Sequence, residues 1–299
     1  LLEIALFWGA TLSCTLRASL DPAALLSRGG ASLKPLLGEW EPIPEVTDAE
    51  QEVADLLPID AGPDAARAAL ERVPLWFHTF LLSRQAGIYA PGVARDHRYR
   101  ILALPESFEG LRVLDVGTFD GFYAFLAERR GAERVLAVDN EQYVHWAEAR
   151  WGRHLEGGEG FRAIAQLLAS RVKYRVQDAL ELDQLGERFD FAFCFGILHR
   201  VENPLGLLRT LRETLDARGR VLVETHGCDE DDGSPSLHVF QHGDVYARDD
   251  FIYWGFTPES LRRLGALAGF ASFDLIDAPV IDGNPRLIGV LNGGEDTDM

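Results

Sequence analysis

The sequence predicts an α/β fold: a seven-stranded sheet, mostly parallel with an antiparallel last strand, plus a helical N-terminal extension. From Leu111 onward, short β-branched runs alternate with longer amphipathic ones, the pattern of repeated strand-helix units. Capping residues mark two helix starts, Asn203 before Pro204 and Thr257 before Pro258. The last two apolar runs, 271–277 and 286–292, are joined by a turn-rich link too short for a crossover helix, so they pair antiparallel.

Residues 1–16 are apolar, but they carry Glu3 and lack a basic flank, so the stretch reads as a buried helix rather than a secretory signal. It is also too short to span a bilayer. Pro42 and Pro44 interrupt the helical pieces that follow, and residues 1–105 read as a mainly helical extension or cap. Residues 106–299 form the larger unit. Its first strands are expected at 112–116, 134–139, 172–176, 189–194 and 220–225, and the closing pair completes the sheet.

With 299 residues, 47% of them hydrophobic, the chain can bury one large core with an appended region. It carries 29 Lys and Arg against 47 Asp and Glu, a formal charge of -18. Such a surface repels a phosphate backbone unless its basic residues gather on one face, so no nucleic-acid partner is expected, nor a membrane one. Cys14, Cys194 and Cys228 have no paired spacing, which suggests neither a disulfide framework nor a zinc site and is simplest in a reducing cytoplasm. Homo-oligomerisation stays open.

The stretch from Val113 to Phe125, VLDVGTFDGFYAF, places Gly117 and Gly121 where a strand turns into a helix and the backbone passes close to a ligand. Pyrophosphate-binding turns want G-x-G-x-x-G, whereas here Thr118 and Phe119 lie within a G-x-x-x-G spacing flanked by Asp115 and Asp120. Those carboxylates would repel a pyrophosphate and suit cationic groups, such as the ammonium and sulfonium of S-adenosylmethionine. Asp139 ends the next strand 18 residues beyond Gly121, beside Asn140, where a carboxylate can accept from both ribose hydroxyls. Asp178, followed by Ala179, reads either as an acceptor for an adenine amino group or as a helix cap. Cys194 and Gly196 complete the candidate cofactor set at the end of the fourth strand, where open α/β sheets bind ligands.

With VLDVGTFDG as its glycine turn, VLAVDN as the acidic second strand and FDFAFCFGILHRVENPLGLLRTLRETL as the fourth strand and its helix, the chain resembles the class I S-adenosylmethionine-dependent methyltransferases over roughly 111–292. The resemblance implies a Rossmann-like sheet and S-adenosylmethionine as cofactor. More narrowly, GILHRVENPLGLLRTL, GRVLVETHG, GDVYARDDFIYWGFTPESLRRLGALAGF and PRLIGV resemble the branch containing the bacterial tRNA wobble-uridine carboxymethyl-transferring enzymes. Those enzymes carry a Tyr-His pair where this chain has His199 and Arg200, and the lysine they use for the carboxylate of their modified cofactor has no clear counterpart near Ser83–Gly87. Arg286 matches an arginine of that branch. One match and two losses favour ordinary S-adenosylmethionine. The resemblance also makes Trp76, Phe77, His78 and Tyr89 a lid over the cofactor cleft.

Methyl transfer needs alignment and, for a hydroxyl acceptor, removal of a proton. His199 and His226, at the ends of the fourth and fifth strands, are the candidate catalytic bases, with a packing role as the alternative for each. Tyr246, Tyr253, Trp254 and Arg286 are the candidate acceptor-binding residues; Phe251 and Phe256 add aromatic surface beside Tyr253 and Trp254, with a core edge strand as the alternative reading for alternate members of that run. Asp229, Glu230, Asp231 and Asp232, with His238, His242 and Asp244, have no diagnostic ligand spacing, so the loop reads as a solvated one and no metal is expected. The sequence is therefore read as an S-adenosylmethionine-dependent methyltransferase of a small molecule, O-methylating a natural-product intermediate. A tRNA wobble-uridine modifying enzyme and a non-catalytic cofactor-binding relative are the alternatives. A nicotinamide dehydrogenase is opposed by the carboxylates around the turn.

Overall fold

Hydrophobic alternation along the central strands fills two layers, one on each face of the sheet, which is why those strands read as almost continuously apolar. The computed structural model describes residues 40–94, 96–228, 233–246 and 248–294. Before the sheet come α1 (Asp48–Ala54), α2 (Pro63–Arg72), the strands β1 (Phe80–Ser83) and β2 (Ile88–Ala90), and α3 (Arg98–Leu102). The sheet and its crossovers then follow as β3 (Arg112–Val116), α4 (Phe122–Arg129), β4 (Arg134–Asp139), α5 (Tyr143–Trp151), α6 (Glu159–Leu168), β5 (Lys173–Val176) and β6 (Phe189–Phe195). The remainder comprises α7 (Pro204–Thr214), β7 (Leu215–His226), β8 (Leu237–Val239), β9 (Trp254–Phe256), α8 (Pro258–Leu267), β10 (Ser272–Asp277), β11 (Val280–Ile281) and β12 (Asn284–Asn292).

The strands lie in the order β10-β12-β7-β6-β3-β4-β5, with the short β11 paired to β12 outside that path. Neighbours from β7 through β5 are parallel, and β12 runs antiparallel to both β7 and β10. Along β6, Phe191, Phe193 and Phe195 enter one apolar layer while Ala192 and Cys194 enter the other. Both predicted caps form: the Asn203 side chain accepts from the Gly206 N–H and that of Thr257 from the Ser260 N–H.

Two features depart from the sequence reading. The stretch preceding β3 is not wholly helical, since β1 and β2 form an antiparallel hairpin. Its side chains join the main core, where Phe80 and Leu82 share a cluster with Phe122 and Phe191, so tertiary burial favours extended chain there. The second addition is the small antiparallel pair of β8 and β9. The apolar stretch 1–16, Cys14 and the acidic residues 229–232 lie outside the described residues. Among the described residues, no helix is long and apolar enough to cross a membrane.

Candidate functional site

The chain leaves β3 for β4 on one side while β6 returns on the other, so a crevice opens at the carboxyl ends of the parallel strands. It forms a cleft of about 790 Å³. Its floor begins at the glycine turn. Gly117 sits at φ 75°, and a Cβ there would collide with the Ile197 side chain. The N–H groups of Gly117 and Thr118 donate to the Val138 carbonyl at 2.9 and 3.2 Å, fastening the turn to β4.

Asp139 carries that fastening further. Its Oδ2 accepts the Phe119 N–H and its Oδ1 the Glu141 N–H, each at 2.9 Å, so one carboxylate holds two turns. Phe119 takes φ 51°, in the left-handed region. Its ring stacks on Tyr143 at 3.9 Å between centroids and on Phe77 at 5.0 Å. The bulky residue at this position thus builds an aromatic wall. Burial pushes the Asp139 carboxyl up to about 6, opposed by its backbone hydrogen bonds.

Of the predicted cofactor residues, Gly117, Phe119, Asp139, Asn140, Asp178, Ala179 and Gly196 line the cleft. Asp178 also caps the turn that follows β5, accepting from the Leu180 N–H at 2.8 Å, so cap and cleft position coincide. Asp115, Thr118, Gly121 and Cys194 stand behind the lining. Thr118 Oγ1 donates to Asp115 Oδ2 at 2.6 Å, which makes this carboxylate a brace beneath the turn, and burial pushes its carboxyl up to about 7. The Cys194 side chain is buried in the core and burial raises its thiol to about 12. Asp120 accepts the backbone N–H groups of Phe77 and His78, both at 2.8 Å, and pairs with His78 Nδ1 at 2.5 Å. It ties the segment before the sheet to the glycine turn. Of the residues expected to form a lid, Phe77 lines the cleft, whereas Trp76, His78 and Tyr89 do not.

Of the predicted catalytic and acceptor-binding residues, His199, Tyr246, Tyr253 and Arg286 line the cleft. Trp254 does not, because its Nε1 donates to the Val201 carbonyl at 2.9 Å and its ring packs on the second apolar layer. The expected base His226 is also held away from the lining. Its Nε2 faces Arg286 Nη1 at 2.6 Å, and a guanidinium can only donate, so the lone pair needed for proton removal is already engaged. Burial, then the Arg286 charge, holds this imidazole down at about 2. His199 is buried, with Nδ1 3.2 Å from Thr225 Oγ1 and 3.4 Å from the His226 backbone nitrogen. Among the described residues, no group of three or more His, Cys, Asp or Glu side chains could hold a metal ion.

A family model described as a methyltransferase domain matches residues 88–273, more than half of the chain. The chain belongs to the methyltransferase domain family. Among the relatives of this methyltransferase, the tRNA U34 carboxymethyltransferase of Campylobacter hominis is 26% identical over 189 residues, covering 63% of this chain and 60% of that protein. The match therefore spans less than two thirds of that relative's length. The protein of the same name from Pseudomonas putida W619 is 24% identical over 281 residues, 91% of this chain and 80% of its own. Among solved structures, the N-terminal domain of EvdMO1 with S-adenosylhomocysteine bound aligns with a TM-score of 0.57 and 21% identity, over 77% of this chain and 96% of that one. That likeness shows a shared fold.

Behind the lining of the methyltransferase cleft stand two buried carboxylates that the sequence reading missed. Glu224, on β7, accepts from Arg100 Nη2 at 2.7 Å, Arg286 Nε at 2.5 Å and Tyr99 Oη at 3.0 Å. Against burial, which would raise it, Arg100 and Arg286 hold this carboxyl down at about 2. The signal was a carboxylate inside the apolar run RVLVETH, since a fully buried charge requires partners. Asp249 was missed as well. It accepts from Arg200 Nη1 at 2.9 Å and Trp146 Nε1 at 3.0 Å, pinning the segment after β8 against α5.

Proposed function

We propose that this methyltransferase moves a methyl group from S-adenosylmethionine to an oxygen of a small-molecule acceptor, an intermediate of natural-product type. The observation that carries the reading is Asp139, whose oxygens each accept one backbone N–H and keep further lone pairs at the cleft wall. A ribose diol needs such an acceptor pair. Asp178 and Ala179 would flank the adenine, and Gly117, Phe119 and Gly196 would pass beneath the rest of the cofactor. The cofactor supplies a methyl group on a sulfonium. The chain would supply alignment, an aromatic wall and charged groups at the acceptor end.

A cleft of about 790 Å³ is large enough for a cofactor and a compact acceptor together. The EvdMO1 domain, also studied in the presence of S-adenosylhomocysteine and D-fucose, lends support as a protein of like fold with a small molecule present. A second reading, transfer to a tRNA wobble uridine, is favoured by the names of the curated relatives and by Arg286. The net charge of -18 opposes it. Retention on immobilised tRNA at low salt, lost steeply as salt rises, would support the tRNA reading. Absence of retention, together with methylation of small acids or phenols from labelled S-adenosylmethionine, is the outcome expected here.

A further inference from the structure

We infer that His199 presents an N–H donor rather than a base to the acceptor, so the oxygen to be methylated enters already ionised, as a carboxylate or as the anion of an acidic phenol or enol. This rests on the small-molecule methyl-transfer reading and names its substrate class.

The ring geometry carries the inference. The His226 backbone N–H points at His199 Nδ1 from 3.4 Å. A backbone N–H can only donate, so Nδ1 accepts and carries no proton, and Thr225 Oγ1, 3.2 Å away, can donate to the same atom. In the neutral ring the proton is then on Nε2. That atom is buried and makes no hydrogen bond among the described residues, although the side chain lines the cleft. A buried donor left without a partner is costly, and an oxygen bound in the cleft would satisfy it.

The charges around the ring agree with this assignment. His226 packs across it with centroids 4.4 Å apart, and burial together with the neighbouring His226, Arg286, Arg200 and Arg100 disfavours its protonation. Arg100 and Arg286 share the single carboxylate of Glu224, which leaves the cluster with one excess positive charge, and Arg286 Nη2 makes no hydrogen bond among the described residues. Such surroundings favour an anionic oxygen and oppose proton removal by either strand-end histidine. Transfer from the anion forms one C–O bond and breaks one C–S bond, whose electron pair stays on sulfur. No proton leaves the acceptor in that step.

The test is a nitrogen-15 spectrum of the histidine rings in the full chain between pH 6 and 8, with His199 assigned by loss of its signals in His199→Gln. A protonated Nε2 and an unprotonated Nδ1 are expected throughout, and a proton on Nδ1 would overturn the inference. With S-adenosylhomocysteine added, benzoate should shift the Nε2–H resonance downfield while benzyl alcohol leaves it in place. An equal response to both, or none to benzoate, would contradict an anionic acceptor. The tautomer is read without cofactor, so failure of S-adenosylhomocysteine to bind would count against the methyltransferase reading and leave the ring assignment standing.

Discussion

Phe119 and Asp139 are joined by a 2.9 Å hydrogen bond from the backbone N–H of the one to Oδ2 of the other. The glycine turn after β3 and the acidic end of β4 are thereby tied into a single piece.

Removing the carboxylate should disable that piece. Asp139→Ala removes the proposed ribose acceptors and leaves the Phe119 and Glu141 N–H groups without their partner. Hydrogen bonds to a charged group contribute about 1.5–3 kcal/mol each, so S-adenosylhomocysteine affinity should fall by at least about tenfold. Calorimetric titration checks this, and unchanged affinity would remove Asp139 from the ribose role.

Cofactor affinity should also depend on pH. In the proposed role the ionised Asp139 carboxylate is the form that would accept from both hydroxyls, and burial pushes its carboxyl up to about 6. Affinity should therefore decline as pH falls through 6, by up to about tenfold per unit below it. A profile flat from pH 7.5 to 5 would contradict this role.

Asp115 makes an opposite, purely structural prediction. Its folded value of about 7 lies above its ordinary 3.8, so the folded chain binds more protons than the unfolded chain in between. Stability from this group is complete below about 4 and is lost as pH rises through 7. Asp115→Asn removes the titration while keeping an acceptor for Thr118. The variant should gain on the parent as pH rises from 4 to 7, by up to about 1.4 kcal/mol per unit. Urea unfolding at several pH values measures the difference.

Glu224 holds two buried guanidinium groups. Glu224→Gln should destabilise the fold by about 3–5 kcal/mol, because Arg100 and Arg286 would be left uncompensated. A loss below about 1 kcal/mol in chemical denaturation would show that the cluster is already balanced by solvent in the cleft.

Much of the fold was legible because local signals agreed with one another. Strands 112–116 and 134–139 were placed at their observed bounds, since turn residues and buried β-branched runs coincide there. Capped helix starts at Asn203 and Thr257 were equally clear. The β1–β2 hairpin was not, because short apolar runs carry no period that separates strand from helix. In the site, the place of Asp139 at the end of β4 was legible, whereas the burial of Asp115 and the partner of His226 were not. Thr118 is a near neighbour of Asp115, but burial decides the behaviour of that carboxyl. Arg286 lies 60 residues from His226, and no local pattern predicts that its guanidinium takes up the imidazole lone pair.

The claim at the centre is that the cleft beside Phe119 and Asp139 takes S-adenosylmethionine. Thermal unfolding of the full chain with S-adenosylhomocysteine, and separately with NAD, tests it most directly. At about a hundred times the dissociation constant, a ligand that binds only the folded chain adds about 2.7 kcal/mol, which should raise the melting temperature by roughly 5–10 °C. That rise is expected with S-adenosylhomocysteine and not with NAD; a rise with NAD alone would contradict the assignment.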